Sequence, residues 1–488
     1  MRLRRALGCI AFLLPFATYV YSMQRYVGFW DVGEMQTVPY ILGIAHPTGF
    51  PAFVLIGWLF THLFPFGSIA WRTTLLCAAA MALTAWFVYR IVIDETENAA
   101  VALLAALSFA FTNLAWVRGT RAEVHAFAVL FIALTLWCAL RWSATLDRRW
   151  LYGGAAAWGC ALATHPIAAL SAIGLLIVLL SRWESVSVSQ LAKAGAICVL
   201  IVFLFYAYLP VRSAQVYAQR RDPTLALGVA AGRPFWDYDH PSQRSGFAAL
   251  VSGSEFPVGD GIAAIFLPQT YVRHGWRFVH SLIDNFTVAG ALLIIAGAIV
   301  FVRSQRLRAI GFTVAGITCV PFALGYPPEA DVERYFLSAF ATGAVLAGLA
   351  LNEAIARWPR LRAVVLAVGA LLVGSQWYLH RDLLAQRFDP GATRYLAFVR
   401  SHTANNAIIM APWAYATPLA YDAYVEHGFG DRIVDAAWLS DDVEYVPRWL
   451  RQRPVYVVYL PWGDLPRGYG LQRIVGAEPP LYRIVKRT

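Results

Sequence analysis

Residues 98–116 read NAAVALLAALSFAFTNLAW, a stretch without one charged side chain. A helix needs about 20 mostly apolar residues to cross the hydrocarbon core of a bilayer. We therefore predict a membrane-spanning helix here, within an all-α polytopic fold. Similar apolar runs recur along the chain, and together they predict about eleven transmembrane helices. The other ten are expected at residues 6–23, 70–92, 124–142, 150–165, 167–181, 194–210, 283–302, 309–325, 335–355 and 362–379.

The composition agrees with this fold class. Of the 488 residues, 59% are hydrophobic and 14% are charged, whereas charged residues make up about 25% of an ordinary soluble domain. These proportions exclude a water-soluble enzyme, a coiled coil and a disordered chain. The net charge of +11 does not indicate a nucleic-acid partner, because the basic residues form short clusters rather than one stripe. The six cysteines lie in apolar runs and show no metal-ligand spacing.

The stretch 51–66 is apolar but short, and prolines bracket it, so we predict an interfacial or re-entrant segment there. The basic N-terminus lacks an Ala-x-Ala cleavage site, and we expect an uncleaved first helix. With eleven spans, every connection expected in the cytoplasm is short and basic, as the positive-inside rule requires. The basic residues concerned are Arg2, Arg4, Arg5, Arg90, Arg141, Arg148, Arg149, Arg182, Lys193, Arg303, Arg306, Arg308, Arg357, Arg360 and Arg362.

This topology leaves three long segments on the outer face: residues 24–69, residues 211–280 and the region after about residue 380. We predict a catalytic transmembrane domain over residues 1–380, with 24–69 and 211–280 as its outer loops. Residues 381–488 differ in composition. Short strand patterns at 407–410, 432–435 and 455–459 alternate with helical spacing at 418–427 and 443–452, which predicts a small extracytoplasmic α/β domain.

Ionisable residues at span ends on one face are candidates for function in a chain so poor in charge. Asp31 and Glu34 are three residues apart and share a face if this segment is helical. They are either the solvated start of an interfacial helix or include a general base. His46 lies in a loop ordered by prolines and glycines, where it either stabilises the loop or contacts a substrate.

A second group lies between predicted spans three and four. Arg118 and Arg121 are disfavoured on an outer face, so we expect them to have partners: either the nearby Glu123 or an anionic phosphate. Further polar residues fall at the outer ends of other spans, and their convergence predicts one polar cavity at the outer interface. They are His125, His165, Arg212, Glu329, Asp331, Glu333, Arg334 and Tyr335.

Two stretches carry a family resemblance. Residues 31–34, DVGE, and residues 42–51, LGIAHPTGFP, resemble the paired signature of glycosyltransferase family 117, long called domain of unknown function 2723. This family is a branch of the GT-C superfamily and includes a eukaryotic transmembrane protein O-mannosyltransferase. Weaker matches follow at 122–125, 165, 208–212, 222–223 and 333–335, so the likeness covers roughly residues 20–355.

The resemblance implies a GT-C-like fold and a polyprenyl-phosphate-linked sugar donor. Asp31 is the expected catalytic base, and Glu34 is the expected second catalytic carboxylate. No cofactor is required by this scheme, because arginines can neutralise a monophosphate, although the acidic residues leave Mg²⁺ or Mn²⁺ as an alternative. The residues expected to line the donor and acceptor pocket are His46, Arg118, Arg121, Glu123, His125, His165, Arg212, Glu333, Arg334 and Tyr335.

The expected reaction is inverting transfer of mannose or another hexose to a hydroxyl group of a protein, glycan or lipid acceptor. We expect it on the extracytoplasmic face of a multi-pass protein of a bacterial inner membrane, facing the periplasm or the exterior. A transporter or flippase of lipid-linked sugars is the alternative. Transporters often show internal repeats and midplane charges, whereas the charges here collect at one face, which favours the enzyme.

Overall fold

The computed structural model describes residues 2–326, 331–459, 465–476 and 478–487. The first part of the chain is a succession of helices joined by short connections. Several begin at side-chain caps that accept a hydrogen bond from the first turn, such as Ser68, Asn98, Thr112 and Asp147. The helices are α1 (Arg2–Ser22), α2 (Asp31–Ile41), α3 (Pro51–Leu63), α4 (Ile69–Thr96), α5 (Ala99–Ala110), α6 (Asn113–Gly119), α7 (Val124–Thr145), α8 (Arg148–Thr164), α9 (Ala172–Leu180), α10 (Val188–Tyr206) and α11 (Tyr208–Ala218).

Residues 244–326 and 331–402 form a further series of helices. The longest of them, α14, contains a kink at Thr287, whose backbone leaves the helical region. The helices are α12 (Arg244–Ser252), α13 (Val258–Ala264), α14 (Pro268–Ser304), α15 (Arg306–Ile317), α16 (Cys319–Gly325), α17 (Leu337–Arg357), α18 (Arg362–Leu379) and α19 (Gly391–His402).

The described residues of the C-terminal region form five strands: β1 (Ile408–Met410), β2 (Ile433–Asp435), β3 (Val455–Val458), β4 (Tyr469–Ile474) and β5 (Leu481–Lys486). They make one sheet in the order β2-β1-β3-β5-β4. The strand β1 pairs in parallel with β2 and β3, while β5 pairs antiparallel with β3 and β4. The first three strands lie where the sequence predicts them, and the last two were not predicted. The α-helices between these strands are α20 (Trp413–Tyr421), α21 (Leu439–Asp442) and α22 (Val446–Trp449).

Within the described residues, eight helices are long and apolar enough to cross a membrane, or nine if α5 and α6 form one span. The chain is thus an integral, multi-pass membrane protein. All eleven predicted spans are largely helical, but two of them fall short of a span. These are α8, with 17 residues, and the apolar helical segment Pro166–Leu180. The apolar stretch 98–116 does not form one continuous helix, because α5 and α6 meet at an angle of 71°. The stretch 51–66 contains the 13-residue helix α3, in agreement with a short interfacial segment.

The helices α4, α7 and α17 form the centre of the bundle, with 67%, 72% and 72% of their most apolar windows buried. By contrast, α1, α10 and α18 present apolar side chains outward, where lipid surrounds them. One hydrophobic cluster runs from the spans through Met35 and Val38 of α2 to Val434 and Tyr456 of the sheet. The outer segments and the C-terminal sheet are therefore packed onto the bundle. The boundary at residue 380 remains a prediction.

Candidate active site

Asp31 is the first residue of α2, and its carboxylate meets two donors from distant parts of the chain. Its Oδ1 accepts a hydrogen bond from Trp413 Nε1 at 2.8 Å, and its Oδ2 accepts one from Arg334 Nη1 at 3.2 Å. The side chain still keeps 36% of its surface exposed. A carboxylate that is held in place and remains reachable is suited to general-base chemistry.

The surroundings of Asp31 keep it ionised. Burial raises the pKa of the Asp31 carboxyl, but the positive charges of His46 and Arg334 and the hydrogen bond from Trp413 together outweigh burial. The pKa therefore lies below its usual value. Asp31 is negatively charged at neutral pH and able to accept a proton.

Glu34 lies one helical turn after Asp31, as the predicted helix requires, but it has no exposed surface. Its Oε1 accepts a hydrogen bond from the His46 backbone N–H at 2.8 Å, and its Oε2 accepts one from His46 Nδ1. Burial lowers the pKa of His46, but the Glu34 carboxylate raises it to about 9, so the imidazole is charged at neutral pH. In this geometry Glu34 binds the His46 loop, and its role as a second catalytic carboxylate remains a prediction.

One glycine in each signature stretch allows close packing against another segment of the chain. A Cβ on Gly33 would lie 2.6 Å from the carbonyl oxygen of Gly28 and 2.9 Å from Thr417 Oγ1, so only glycine allows α2 to approach α20 this closely. A Cβ on Gly43 would lie 2.0 Å from the Phe235 carbonyl oxygen. The glycines of the signature therefore dock the first outer segment on the other two.

Arg118 and Arg121 both have acidic partners. Arg118 forms a bidentate pair with Asp331 and also donates to Glu123 Oε2 at 2.9 Å, while Arg121 Nη2 donates to Asp331 Oδ2 at 2.8 Å. Both arginines keep a buried Nε without a hydrogen-bond partner in the described part of the chain. Glu123 thus partly neutralises the arginines, which was one of the two predicted alternatives, and Asp331 is a second acidic partner. Glu329 lies outside the described residues.

Aromatic rings join the Asp31 region to the arginine cluster. His125 Nδ1 donates to Glu123 Oε1 at 2.7 Å, and its ring lies against His165 and Tyr335, at centroid distances of 4.8 and 5.3 Å. His165 Nδ1 accepts the Ile167 backbone N–H at 3.2 Å. The His165 ring stacks on Phe50, beside the His46 loop. His125, His165 and Tyr335 therefore lie together, as predicted.

Two predicted site residues lie elsewhere. Arg212 Nε donates to the Leu42 carbonyl oxygen at 2.5 Å, and its Nη2 donates to that of Ile41 at 3.1 Å, so it caps the end of α2. Glu333 lies 3.9 Å from Arg277, in a separate cavity. Neither contacts Asp31 or the Arg118 cluster. Their proposed contact with substrate remains a prediction.

Trp413 is a site residue that the sequence analysis missed. Besides its hydrogen bond to Asp31, the indole stacks on Phe235 with centroids 5.6 Å apart and rings inclined by 8°. The indole also lies edge-on to the rings of His46 and Tyr238, at centroid distances of 5.8 and 6.3 Å. Trp413 follows the parallel strand β1 closely, and sites in α/β sheets assemble at the carboxyl ends of such strands. Its position just after a predicted strand is the sequence feature that could have identified Trp413.

The acidic residues of the region are paired with basic ones rather than with each other. Among the residues that the structure describes, no three His, Cys, Asp or Glu side chains form a group that could hold a metal ion. Asp31 pairs with Arg334, Glu34 with His46, and Glu123 with Arg118. The prediction that the reaction requires no cofactor remains a prediction.

Comparisons with known proteins extend this picture. Residues 31–188 match the family model of the protein O-mannosyl-transferase TMEM260 N-terminal domain. The chain is 26% identical to the mouse protein O-mannosyl-transferase TMEM260 over 418 residues, which are 81% of this chain and 57% of that protein. It is 31% identical to the corresponding protein of Dictyostelium discoideum over 137 residues, 27% of this chain and 17% of that protein. The chain thus spans little more than half the length of the mouse relative.

Solved structures show the same architecture. ArnT from Cupriavidus metallidurans bound to undecaprenyl phosphate superposes with a TM-score of 0.56 at 13% identity, covering 98% of this chain and 97% of ArnT. The apo structure of ArnT gives a TM-score of 0.55 at the same identity and coverage. These neighbours confirm the GT-C-like fold, and the family model confirms the resemblance of the signature stretches. The chain is therefore similar in sequence to the TMEM260-type protein O-mannosyl-transferases, and it shares its fold with ArnT.

Proposed function

We propose that this protein transfers a sugar from a polyprenyl-phosphate donor to a hydroxyl group of a protein acceptor, with Asp31 as general base. The observation that carries the proposal is the fixed, ionised and partly exposed carboxylate of Asp31 beside Arg334. The names of the mouse and Dictyostelium relatives support mannose as the sugar and protein as the acceptor. The fold of ArnT, solved with undecaprenyl phosphate, supports the lipid donor.

In this reaction the acceptor oxygen attacks the anomeric carbon while Asp31 takes the hydroxyl proton. The bond between the anomeric carbon and the phosphate oxygen breaks, and its electron pair leaves with the lipid phosphate. A single displacement inverts the anomeric configuration. Arg334 is the cation best placed for the phosphate, because it lies beside Asp31 and its Nε has no described partner. A guanidinium group stabilises the charge that develops on the leaving phosphate.

The remaining cluster residues support these two groups. Glu34 holds His46, whose charge helps to keep Asp31 ionised. Asp331 and Glu123 hold Arg118 and Arg121 next to each other and offset their charges, while each arginine keeps a buried Nε without a hydrogen-bond partner among the described residues. We assign Arg118 and Arg121 to the electrostatic environment of the donor phosphate. The site lies on the extracytoplasmic face of the inner membrane in this proposal, opposite the basic connections.

Asp31→Asn tests the role of the base. We expect kcat to fall by about 10²–10⁴-fold, which is the usual contribution of a general base, while the lipid donor still binds. The measurement is transfer from polyprenyl-phosphate mannose to a threonine-containing peptide by the purified full-length chain in detergent. Asp431→Asn is the matched control, because Asp431 is an exposed acid of the C-terminal region away from the cluster.

Sugar transfer that Asp31→Asn leaves unchanged would rule out Asp31 as the base. Another outcome would favour the transporter. In that case the wild-type chain would move lipid-linked sugar across vesicle membranes without transferring it to the peptide, and the Asp31→Asn variant would move it equally well. The two assays use the same protein and donor, so they separate the enzyme from the flippase.

A further inference from the structure

A cleft of about 1390 Å³ lies between the first outer segment and the C-terminal region. Phe29 and Trp30 contribute one side, and residues from α19, α20 and the sheet contribute the other. Pockets for small ligands usually enclose about 300–1000 Å³. The cleft is therefore large enough for a segment of a polymer.

The cleft adjoins the proposed base. Trp30, which is 64% exposed, directly precedes Asp31 in the chain. Trp413 forms part of the wall and donates its indole N–H to the Asp31 carboxylate. A molecule lying along this wall thus comes within reach of the carboxylate, whose surface is partly exposed.

The sheet presents its binding edge to the cleft. Trp413, Trp438 and Tyr459 come shortly after β1, β2 and β3, and these three strands run parallel. The carboxyl ends of parallel strands therefore lie at one edge, and open α/β sheets bind ligands outside that edge. The C-terminal region turns this edge towards Asp31.

The lining favours a polypeptide. About half of the described lining residues are aromatic, against 14% of the whole chain. Tyrosine and tryptophan bury large areas at little cost in conformational entropy, which suits protein recognition. Exposed Arg394 and Arg473 also line the cleft and form no ion pair with a described residue.

We propose that this cleft binds the protein acceptor as an extended segment of several residues, so that a serine or threonine hydroxyl reaches Asp31. The inference rests on the proposed sugar transfer and adds the place and form of the acceptor. The two arginines favour acidic side chains beside the acceptor residue. Trp413 is then a positioning residue that belongs to both the cleft and the base.

The test compares a ten-residue peptide with a central threonine against threonine amide, both with polyprenyl-phosphate mannose and the full-length chain. Trp438→Ala removes a cleft ring that makes no contact with Asp31. We expect it to raise KM for the peptide about tenfold, with kcat nearly unchanged, as loss of one aromatic anchor does. The KM for threonine amide should not change, because that acceptor does not extend to Trp438. Trp183→Ala, at an exposed tryptophan of the α9–α10 connection, is the matched control.

A peptide KM that Trp438→Ala leaves unchanged would overturn the cleft proposal, as would an equal rise for threonine amide. If KM rises for mannotriose instead of the peptide, the cleft binds a glycan and the proposal is wrong. Absence of transfer by the wild-type chain would instead contradict the proposed function.

Arg394→Gln provides a second variant that leaves the packed aromatic rings intact. We expect it to reduce a preference for peptides with acidic residues near the threonine.

Discussion

At the scale of the residue, the site depends on how one carboxylate is surrounded. Asp31 accepts hydrogen bonds from an indole and a guanidinium group, and a charged imidazole lies close by. None of these donors neighbours Asp31 in sequence. Hydrogen bonds to charged groups contribute about 1.5–3 kcal/mol each, so every donor changes the proton affinity of Asp31 measurably.

Trp413→Phe keeps the ring that packs on Phe235 but removes the N–H that binds Asp31. That hydrogen bond lowers the pKa of Asp31, so its loss raises the pKa. Because the base acts only when ionised, we expect the acid limb of the kcat/KM profile to move to higher pH. At neutral pH Asp31 stays ionised, and we expect kcat/KM to fall there only because one donor fewer holds the carboxylate in position.

The pH profile of sugar transfer measures this effect, with Trp449→Phe as control. Trp449 is also buried and donates its indole N–H to a carbonyl oxygen, that of Leu227, at 2.9 Å. Its replacement should lower stability without moving the acid limb. An acid limb in Trp413→Phe that coincides with the wild-type curve would contradict the positioning role.

At the scale of the element, the helix α2 contains the proposed base Asp31, and its two ends are fixed by neighbouring segments. Trp30 precedes it with a φ of 56°, and Leu42 ends it with a φ of 53°, both in the left-handed region. Arg212 binds the carbonyl groups at its end, and α20 packs along Gly33. Such conformations persist only where the surrounding packing holds them.

Gly33→Ala tests the approach of α2 to α20. The new methyl group would meet the Gly28 carbonyl oxygen and Thr417 Oγ1 at less than 3.0 Å, so one helix must shift. We expect the free energy of unfolding to fall by about 1–3 kcal/mol, as in other overpacked sites. Thermal unfolding in detergent measures the change.

Gly195→Ala is the control for this substitution. It also lies within a helix, α10, but a Cβ there meets no atom within 4 Å. We expect it to be neutral or to stabilise by about 0.5–1 kcal/mol, because alanine favours the helix. Equal stability of Gly33→Ala and the wild-type chain would show that α2 tolerates a wider separation from α20.

At the scale of the whole molecule, the outer segments and the sheet form one body with the bundle. The short basic connections lie at the other end in the predicted topology. Cysteine labelling tests that orientation, because Ser185 and Asn406 are both exposed and the predicted topology assigns them to opposite faces.

We expect a membrane-impermeant maleimide to label Asn406→Cys in intact spheroplasts and to label Ser185→Cys only after permeabilisation. The physical reason is that arginine-rich connections are retained in the cytoplasm. The wild-type chain, with its own six cysteines, gives the background. The opposite labelling pattern would reverse the topology and place Asp31 on the cytoplasmic face.

Much of the fold was readable from local patterns. All eleven apolar runs proved largely helical, although α14 begins at Pro268, well before the predicted residue 283, and three strands were predicted within one residue at either end. The strands β4 and β5 were missed; β4 has no fully buried residue, and Gln472 and Arg473 interrupt its apolar pattern. The bend between α5 and α6 was missed because the run 98–116 was interpreted as one span, although Thr112 within it is a preferred helix-start residue and caps α6.

The sequence by itself determined the multi-pass membrane architecture and the signature stretches, and it predicted that a set of polar residues would converge at one interface. These follow from hydrophobicity and spacing along the chain. Only the tertiary structure decided the partners: Trp413 and Asp31 are 382 residues apart, and Arg118 and Asp331 are 213 apart. It also separated Arg212 and Glu333 from the cluster. Contacts between such distant segments depend on how helices and outer loops pack together, and no local pattern records that packing.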